Sequence, residues 1–277
     1  MPSLYVVATP IGNLEDISLR ALRVLREASL IAAEDTRKTK RLLNAYDIKT
    51  PLTSYFEHNK LAKLETVLGE LEKGDVALVS EAGMPGISDP GYELIAEAGR
   101  RGIEVVPVPG ANAAVTALAA SGLPTDRFTF AGFLPGRAAA RRKALEGLAG
   151  EPGTLVLYEA PHRVSAALDD ILAVLGDRRI SVCRELTKLH EEVFRGTVSG
   201  ARRHFTAPRG EFTLVIEGRG SREKPAVTDD IEEQLQRLQH EGATAREAVA
   251  AVAGATGLSR KELYKTWLRL GKSGSGD

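Results

Sequence analysis

Cysteine is almost absent from this chain. A single residue, Cys183, in 277 excludes an intrachain disulfide framework and a structural zinc site built from several thiolates, and it suits a reducing compartment, the cytoplasm by default. Long apolar runs are missing too. Arg, Lys, Asp or Glu interrupts each one well short of the ~18 residues of a membrane span, so no membrane partner is expected. The apolar run before Thr9 and Pro10 is too short for a signal peptide core and has no basic flank; it reads as a buried strand. A charge of one sign is also lacking, since 37 Lys+Arg balance 37 Asp+Glu. That removes the simplest argument for nucleic-acid binding, although a zero average can hide separate patches.

Several motifs are absent as well. No G-x-x-x-x-G-K-[ST] occurs, and no G-x-G-x-x-G follows the first strand, which disfavours the common nucleotide-binding loops. The five histidines, His58, His162, His190, His204 and His240, form no H-E-x-x-H pair and no cluster with zinc-ligand spacing, so no metal is required. G-x-S-x-G is missing, and with it the usual hydrolase nucleophile elbow.

What is present is a globular composition, 43% hydrophobic and 27% charged, long enough for one large domain or two ordinary ones. Strand-like runs at Leu4 to Ala8, Leu30 to Ala33, Asp75 to Ser80, Ile103 to Val108 and Phe128 to Phe133 alternate with helical spacing at Ser18 to Ala28, Lys38 to Tyr46, Lys60 to Lys73, Tyr92 to Arg101 and Ala111 to Ser121. This alternation predicts an α/β fold with a mainly parallel sheet covered on both faces. After the basic stretch Arg137 to Lys143 come a strand at Thr154 to Tyr158, a helix at Val164 to Leu175, and strands at Ile180 to Glu185, Val193 to Val198 and Phe212 to Glu217. Consecutive strands there predict a mixed sheet with more antiparallel pairing. GRGSREKPAV reads as a linker, followed by helices at Ile231 to Gln239, Ala245 to Ala253 and Lys261 to Leu270, with Thr244 and Ser259 as N-caps, and by a flexible tail, GKSGSGD. The expected division is 1–124 for a parallel-sheet domain, 125–220 for a second α/β domain closing a cleft, and 228–272 for a small helical module.

Three Gly/Pro turns follow strands, where open α/β sheets bind ligands. They are Thr9 to Asn13 (TPIGN), Ser80 to Gly91 (SEAGMPGISDPG) and Pro107 to Val115 (PVPGANAAV). Gly83, Gly86 and Gly91 permit close backbone approach, and Pro85 and Pro90 stiffen the path. The small residues after Gly110 leave helix N–H groups accessible. The competing explanation is a surface loop with incidental glycine and proline, and tight packing by alanines.

LYVVATPIGN, AEDTRKTKRLL, SEAGMPGISDPG, PVPGANAAVTALAASGLP and LYEAPHR, in this order, resemble the tetrapyrrole methylase superfamily, and within it the branch that methylates a cytidine 2′-hydroxyl of 16S ribosomal RNA. The resemblance runs from about Leu4 to Gly218. It implies two α/β domains with S-adenosylmethionine folded between them, a helical C-terminal extension and a homodimer acting on 16S rRNA or the small ribosomal subunit. Cofactor contacts are carried onto Pro10, Gly12, Gly83, Met84, Pro85, Ser88, Asp89, Pro109, Gly110, Ala111 and Tyr158. The related tetrapyrrole enzymes have Gly-Asp-Pro where this chain has Gly83-Met84-Pro85, which speaks against a tetrapyrrole substrate.

A ribose hydroxyl is a poor nucleophile, so a base or electropositive group must border the cleft. Asp35 and Arg37 are expected to organise the acceptor, with Glu81 or a second-domain side chain such as Lys188 taking the proton. His58, Asn59, Glu159, His162, Arg163 and Arg184 are candidate substrate contacts. Asp35 could equally be the N-cap of the next helix, and His162 a first-turn residue. Phosphate contacts are expected at Arg137, Arg141, Arg142 and Lys143, at Arg178, Arg179, Arg184, Lys188, Arg195, Arg202, Arg203 and Arg209, and at Arg260, Lys261, Lys265, Arg269 and Lys272. Tyr264 and Trp267 could stack on bases, or Trp267 could fill the helical core. The alternatives are a ligand-sensing regulator with a DNA-reading helix-turn-helix, or a methylase of a small tetrapyrrole or a protein side chain.

Overall fold

The computed structural model describes residues 2–57, 60–220, 228–256 and 258–273. His58, Asn59, the linker residues 221–227, Gly257, the tail 274–277 and the Lys272 side chain lie outside the described residues. The chain divides into two compact units, Met1–Arg219 and Gly220–Asp277.

The first unit holds two five-stranded sheets. In one, β1 (Ser3–Val7), β2 (Leu30–Ala33), β3 (Leu52–Ser54), β4 (Val76–Val79) and β5 (Glu104–Val108) run in the order β3-β2-β4-β1-β5, all parallel. β4 reads VALV and is buried throughout, as a strand covered on both faces must be. α1 (Leu19–Glu27) and α2 (Thr36–Ala45) pack on one face through Leu25, Leu43, Ile31 and Val79. α3 (Lys60–Leu71) and α4 (Tyr92–Arg100) pack on the other through Leu68, Leu94, Leu4 and Leu78. Since β1 feeds one face and the adjacent β4 feeds the other, a crevice opens at their carboxyl ends.

The second sheet contains β6 (Phe128–Phe133), β7 (Thr154–Glu159), β8 (Arg179–Arg184), β9 (Glu192–Thr197) and β10 (Phe212–Ile216) in the order β6-β7-β10-β8-β9. β6 and β7 are parallel and the other pairs antiparallel, as the consecutive strands predict. α6 (Ala138–Leu148), α7 (Pro161–Leu175) and α8 (Val198–His204) cover one face. The other is covered by α5 (Ala113–Ser121), whose Ala114, Ala117 and Leu118 pack on Val156, Cys183 and Val215. The alanine run thus serves close packing against the second sheet.

Two helices were not expected. α6 absorbs the basic stretch, and Arg141 within it is buried, its guanidinium 2.6 Å from Asp170, which also takes Arg142 at 2.6 Å. Arg178 donates to the carbonyls of Leu175 and Ala149 at 2.9 Å. The phosphate contacts expected at Arg141 and Arg178 are therefore corrected: both side chains are spent inside the fold. Arg202 pairs with Asp169 at 2.8 Å.

The second unit is α9 (Asp229–His240), α10 (Ala245–Thr256) and α11 (Arg260–Ser273) around Leu235, Val249, Val252 and Leu263. Thr244 and Glu247 form the reciprocal cap, at 3.0 and 3.4 Å. Trp267 packs against this core. Tyr264, Lys261 and Lys265 stay exposed, and Arg269 pairs with Glu232.

Candidate active site

The turns after β1 and β4 are tied at the crevice: Thr9 and Gly83 exchange two backbone hydrogen bonds of 2.9 and 3.0 Å. Gly83 has φ +86°, and the space where a Cβ would stand is flanked by Ile11 Cγ2 at 3.4 Å and the Ala111 carbonyl at 3.6 Å. Ser88 takes φ +62° without being glycine, a conformation costing of order 1–3 kcal/mol that tends to be kept at functional positions. Its Oγ lies against Gly132, where the β6–β7 register shifts. The long loop of the first sheet therefore reaches the second.

Between them is a cavity of about 590 Å³, within the usual range for small-molecule sites, roughly 300–1,000 Å³. Gly83, Met84, Ser88 and Asp89 supply one wall, Asn112 and Ala113 the start of α5, and Phe133, Tyr158, Glu159 and His162 the opposite wall. Tyr158 Oη accepts the Ala114 amide at 3.1 Å, and burial pushes the phenol above its ordinary value. Phe130 meets its ring edge-on at 5.0 Å.

The cavity's charges are one-sided. Glu34, Glu81, Asp89, Glu159 and Glu211 line it, and among the described residues no lysine or arginine does. Burial first, and then the neighbouring Glu34 and Glu81 charges, push Asp89 up from 3.8 to about 7, against a hydrogen bond from Ser80. Glu159 is 1% exposed. Its Oε1 accepts the Ala160 amide at 2.9 Å and lies 3.2 Å from Arg163 Nε. Its Oε2 has no partner among the described residues, the kind of orphan that a buried acceptor otherwise avoids.

An outer groove of about 280 Å³ shares Glu81 with the cavity and is lined by Pro10, Gly12, Lys38, Arg41 and Lys188. Glu81 pairs with Lys38. Lys188 lies 2.9 Å from both Glu185 and Glu211. Burial opposes its charge, but these two hydrogen bonds hold its ammonium above the ordinary value, so it stands as a cation rather than a base. Gly12 has no room for a Cβ because Thr187 Oγ1 and Lys188 Cγ occupy that space; the Asn13 amide also donates to Thr187 Oγ1 at 3.1 Å. Close approach of the second lobe accounts for this glycine.

The remaining expected residues lie elsewhere. Asp35 is the N-cap of α2, accepting the Arg37 and Lys38 amides at 2.8 and 3.2 Å. Those backbone bonds lower its pKa, the Lys38 amide most and against burial. The Arg37 side chain is 90% exposed and lines a separate groove with Lys40 and Lys49. The structure thus brings neither to the cavity. Pro85 is buried beneath the loop, while Pro109, Gly110 and Ala111 flank rather than line the cavity. Arg163 ties Glu159 to the Leu134 carbonyl, and Arg184 turns to Glu192 at 3.4 Å. Asn112 belongs to the third turn, and the residues not anticipated, Phe133, Phe212 and Thr213, reach the cavity through the sheet order, which no local pattern encodes.

Residues 3–201 match the family model for tetrapyrrole (corrin/porphyrin) methylases. The chain belongs to the tetrapyrrole methylase family. Residues 225–271 match the RsmI C-terminal HTH domain. The chain is 50% identical to the ribosomal RNA small subunit methyltransferase I of Halalkalibacterium halodurans, over 96% of this chain and 94% of that protein. It is 51% identical to the protein of the same name from Thermotoga maritima, the whole of which is matched by 79% of this chain. Among solved structures, uroporphyrin-III C-methyltransferase from Thermus thermophilus complexed with S-adenosylhomocysteine superposes with a TM-score of 0.55 at 22% identity, over 78% of this chain and 97% of that one. That likeness places this chain's two-sheet arrangement within the methylase fold.

Proposed function

We propose that this chain transfers a methyl group from S-adenosylmethionine to the 2′-hydroxyl of a cytidine in 16S ribosomal RNA. One observation carries this reading: a cavity at the β1/β4 crevice, walled by glycine turns and by carboxylates, in a methylase-family chain half identical to named ribosomal RNA methyltransferases over nearly its full length. The residues present suit the donor. Apolar surface from Met84 and Phe133 and main-chain groups around Gly83 offer an apolar bed and backbone contacts. When bound there, S-adenosylmethionine supplies an activated methyl group on a sulfonium.

The chain's own part is to position the hydroxyl and to take its proton, and positioning alone can supply much of the acceleration. Asp89, titrating at about 7, has the proton affinity for a base at neutral pH. Lys188 and Lys38, beside the mouth, are placed to meet phosphates. Lys261, Tyr264 and Lys265 share an exposed face of α11, a spacing suited to unpaired RNA. Two copies working together in the cytoplasm complete the proposal, with the exposed Tyr92, Val115 and Leu189 as apolar surface a second copy would cover.

The test is transfer of tritiated methyl from S-adenosylmethionine to small ribosomal subunits, naked 16S rRNA and duplex DNA in parallel, followed by mapping of the labelled nucleotide. Label in a cytidine ribose supports the proposal. Binding to DNA without label in RNA would favour the regulator, and label on a base or protein would also overturn it.

A further inference from the structure

α2 reads TRKTKRLLNA, with four cations and no acid. Arg37, Lys38, Lys40 and Arg41 all fall in its N-terminal half, where the positive end of the backbone dipole opposes them. Arg37 with Lys40, Lys38 with Arg41, and Arg37 with Arg41 stand three or four positions apart, where like charges repel. Asp35 lies 3.7 Å from Arg37, and Glu81 pairs with Lys38. Lys40 and Arg41 are exposed, and neither has an ion pair among the described residues. The helix is anchored instead by the buried Thr39, Leu42 and Leu43. Its cations weaken the fold that displays them, and their use lies with a negatively charged partner.

The helical repeat sorts these side chains into two grooves. Lys38 and Arg41 line the outer groove, which shares Ile11, Glu81, Ala82 and Glu211 with the cavity. Arg37 and Lys40 line the other, a groove of about 520 Å³ that extends to Lys49 and to Leu52 on the edge strand β3. We propose that α2 is the ridge crossed by the RNA strand that flanks the target nucleotide, with Lys40 holding one phosphate in the second groove and Arg41 another at the threshold of the cavity. The inference rests on the RNA-substrate reading above and deepens it. Two basic grooves divided by one helix, a body about 10 Å across, suit an extended polyanion, whereas a small anion would need only one of them. From Arg41 the strand continues past the shared residues into the cavity, which brings the next ribose to the donor. Arg37, which the cavity does not receive, lines this approach.

The experiment measures binding of the full chain to small ribosomal subunits over a salt series from about 50 to about 200 mM. Three forms are compared: the wild type, the neutral double variant Lys40→Gln with Arg41→Gln, and the charge-keeping double variant Lys40→Arg with Arg41→Lys. The neutral variant is expected to bind about tenfold more weakly at the lowest salt, a severalfold loss for each exposed charge pair. Its slope of log affinity against log salt should be shallower by about 1.4, from two phosphates at ~0.7 each on a single strand. The charge-keeping variant should retain the wild-type slope. The neutral variant should melt no lower than the wild type, because repulsion within α2 has been removed. An unchanged slope in the neutral variant, or an equal loss in the charge-keeping one, would overturn the ridge while leaving the RNA substrate standing. A neutral variant that melts well below the wild type or does not fold would assign these charges to the fold, which also overturns it. Failure of the wild type to bind subunits, or to transfer tritiated methyl to their RNA, would remove the underlying reading itself.

Discussion

Asp89 is held in its ionised form at a cost, and removing that cost should stabilise the protein. Its carboxyl is raised from 3.8 to about 7, first by burial and then by Glu34 and Glu81, with Ser80 opposing and Tyr158 packed close by. The folded state therefore binds a proton that the unfolded state releases, and stability falls as pH climbs from about 4 to about 7. At 1.36 kcal/mol per pH unit the full gap corresponds to about 4 kcal/mol. Partial exposure of the group to solvent screens this to about 2 kcal/mol. Asp89→Asn keeps the shape and the Ser80 hydrogen bond without the charge. At pH 8 the variant should unfold at a temperature roughly 4–8 °C above the wild type, and below pH 4 the two should coincide. Thermal melts across pH 4 to 9 by circular dichroism make the measurement. A variant less stable than wild type at pH 8, or a gain that does not vary with pH, would refute the reasoning. Stability gained with methyl transfer slowed is the trade-off expected of a functional charge.

The buried pair in the second sheet's helical layer gives a stability test independent of the site. Asp170→Ala leaves Arg141, 6% exposed, without its counter-charge, and should cost about 3–5 kcal/mol in denaturant unfolding; the double change Arg141→Met with Asp170→Leu should recover most of it, and a single-variant loss below about 1 kcal/mol would contradict the burial argument. Lys188→Arg should retain most of kcat with an unchanged pH profile, since a cation between Glu185 and Glu211 is what the site holds; loss of activity in Lys188→Arg would restore the lysine as a base. Removal of residues 220–277, the second compact unit, should leave S-adenosylmethionine affinity within about twofold, because none of its described residues lines the cavity, while weakening retention on small ribosomal subunits in a sedimentation assay. Unchanged retention would remove α11 as an RNA contact.

The parallel sheet was legible because its strands are short apolar runs buried on both faces, and Ile31, Val79 and Leu78 needed no long-range information to be placed. β3 was harder to read: three half-buried residues at a sheet edge carry little pattern. α6 was hidden by its own charges, since Arg141 looks like surface until Asp170, twenty-nine residues on, is seen to bury it. The same kind of distance limited the reading of the site. The Ser80–Gly91 loop announced itself through glycine and proline, and Tyr158, Glu159 and His162 through the LYEAPHR resemblance. Asp35 was legible only as one of two things, an acceptor-organising carboxylate or the N-cap that the fold makes it, because the two look alike in one dimension. That Asp89 would stand between Glu34 and Glu81, and that Phe212 and Thr213 would close the far wall, depends on strand orders that only the folded chain reveals.

The account stands on where the methyl donor sits, and a crystal structure of the full chain grown with sinefungin tests that most directly. The ligand is expected between the Gly83–Asp89 turn and the wall formed by Phe133 and Tyr158. At saturating concentration, a ligand found in the outer groove beside Lys38 and Arg41, or a cavity holding only solvent, would contradict it.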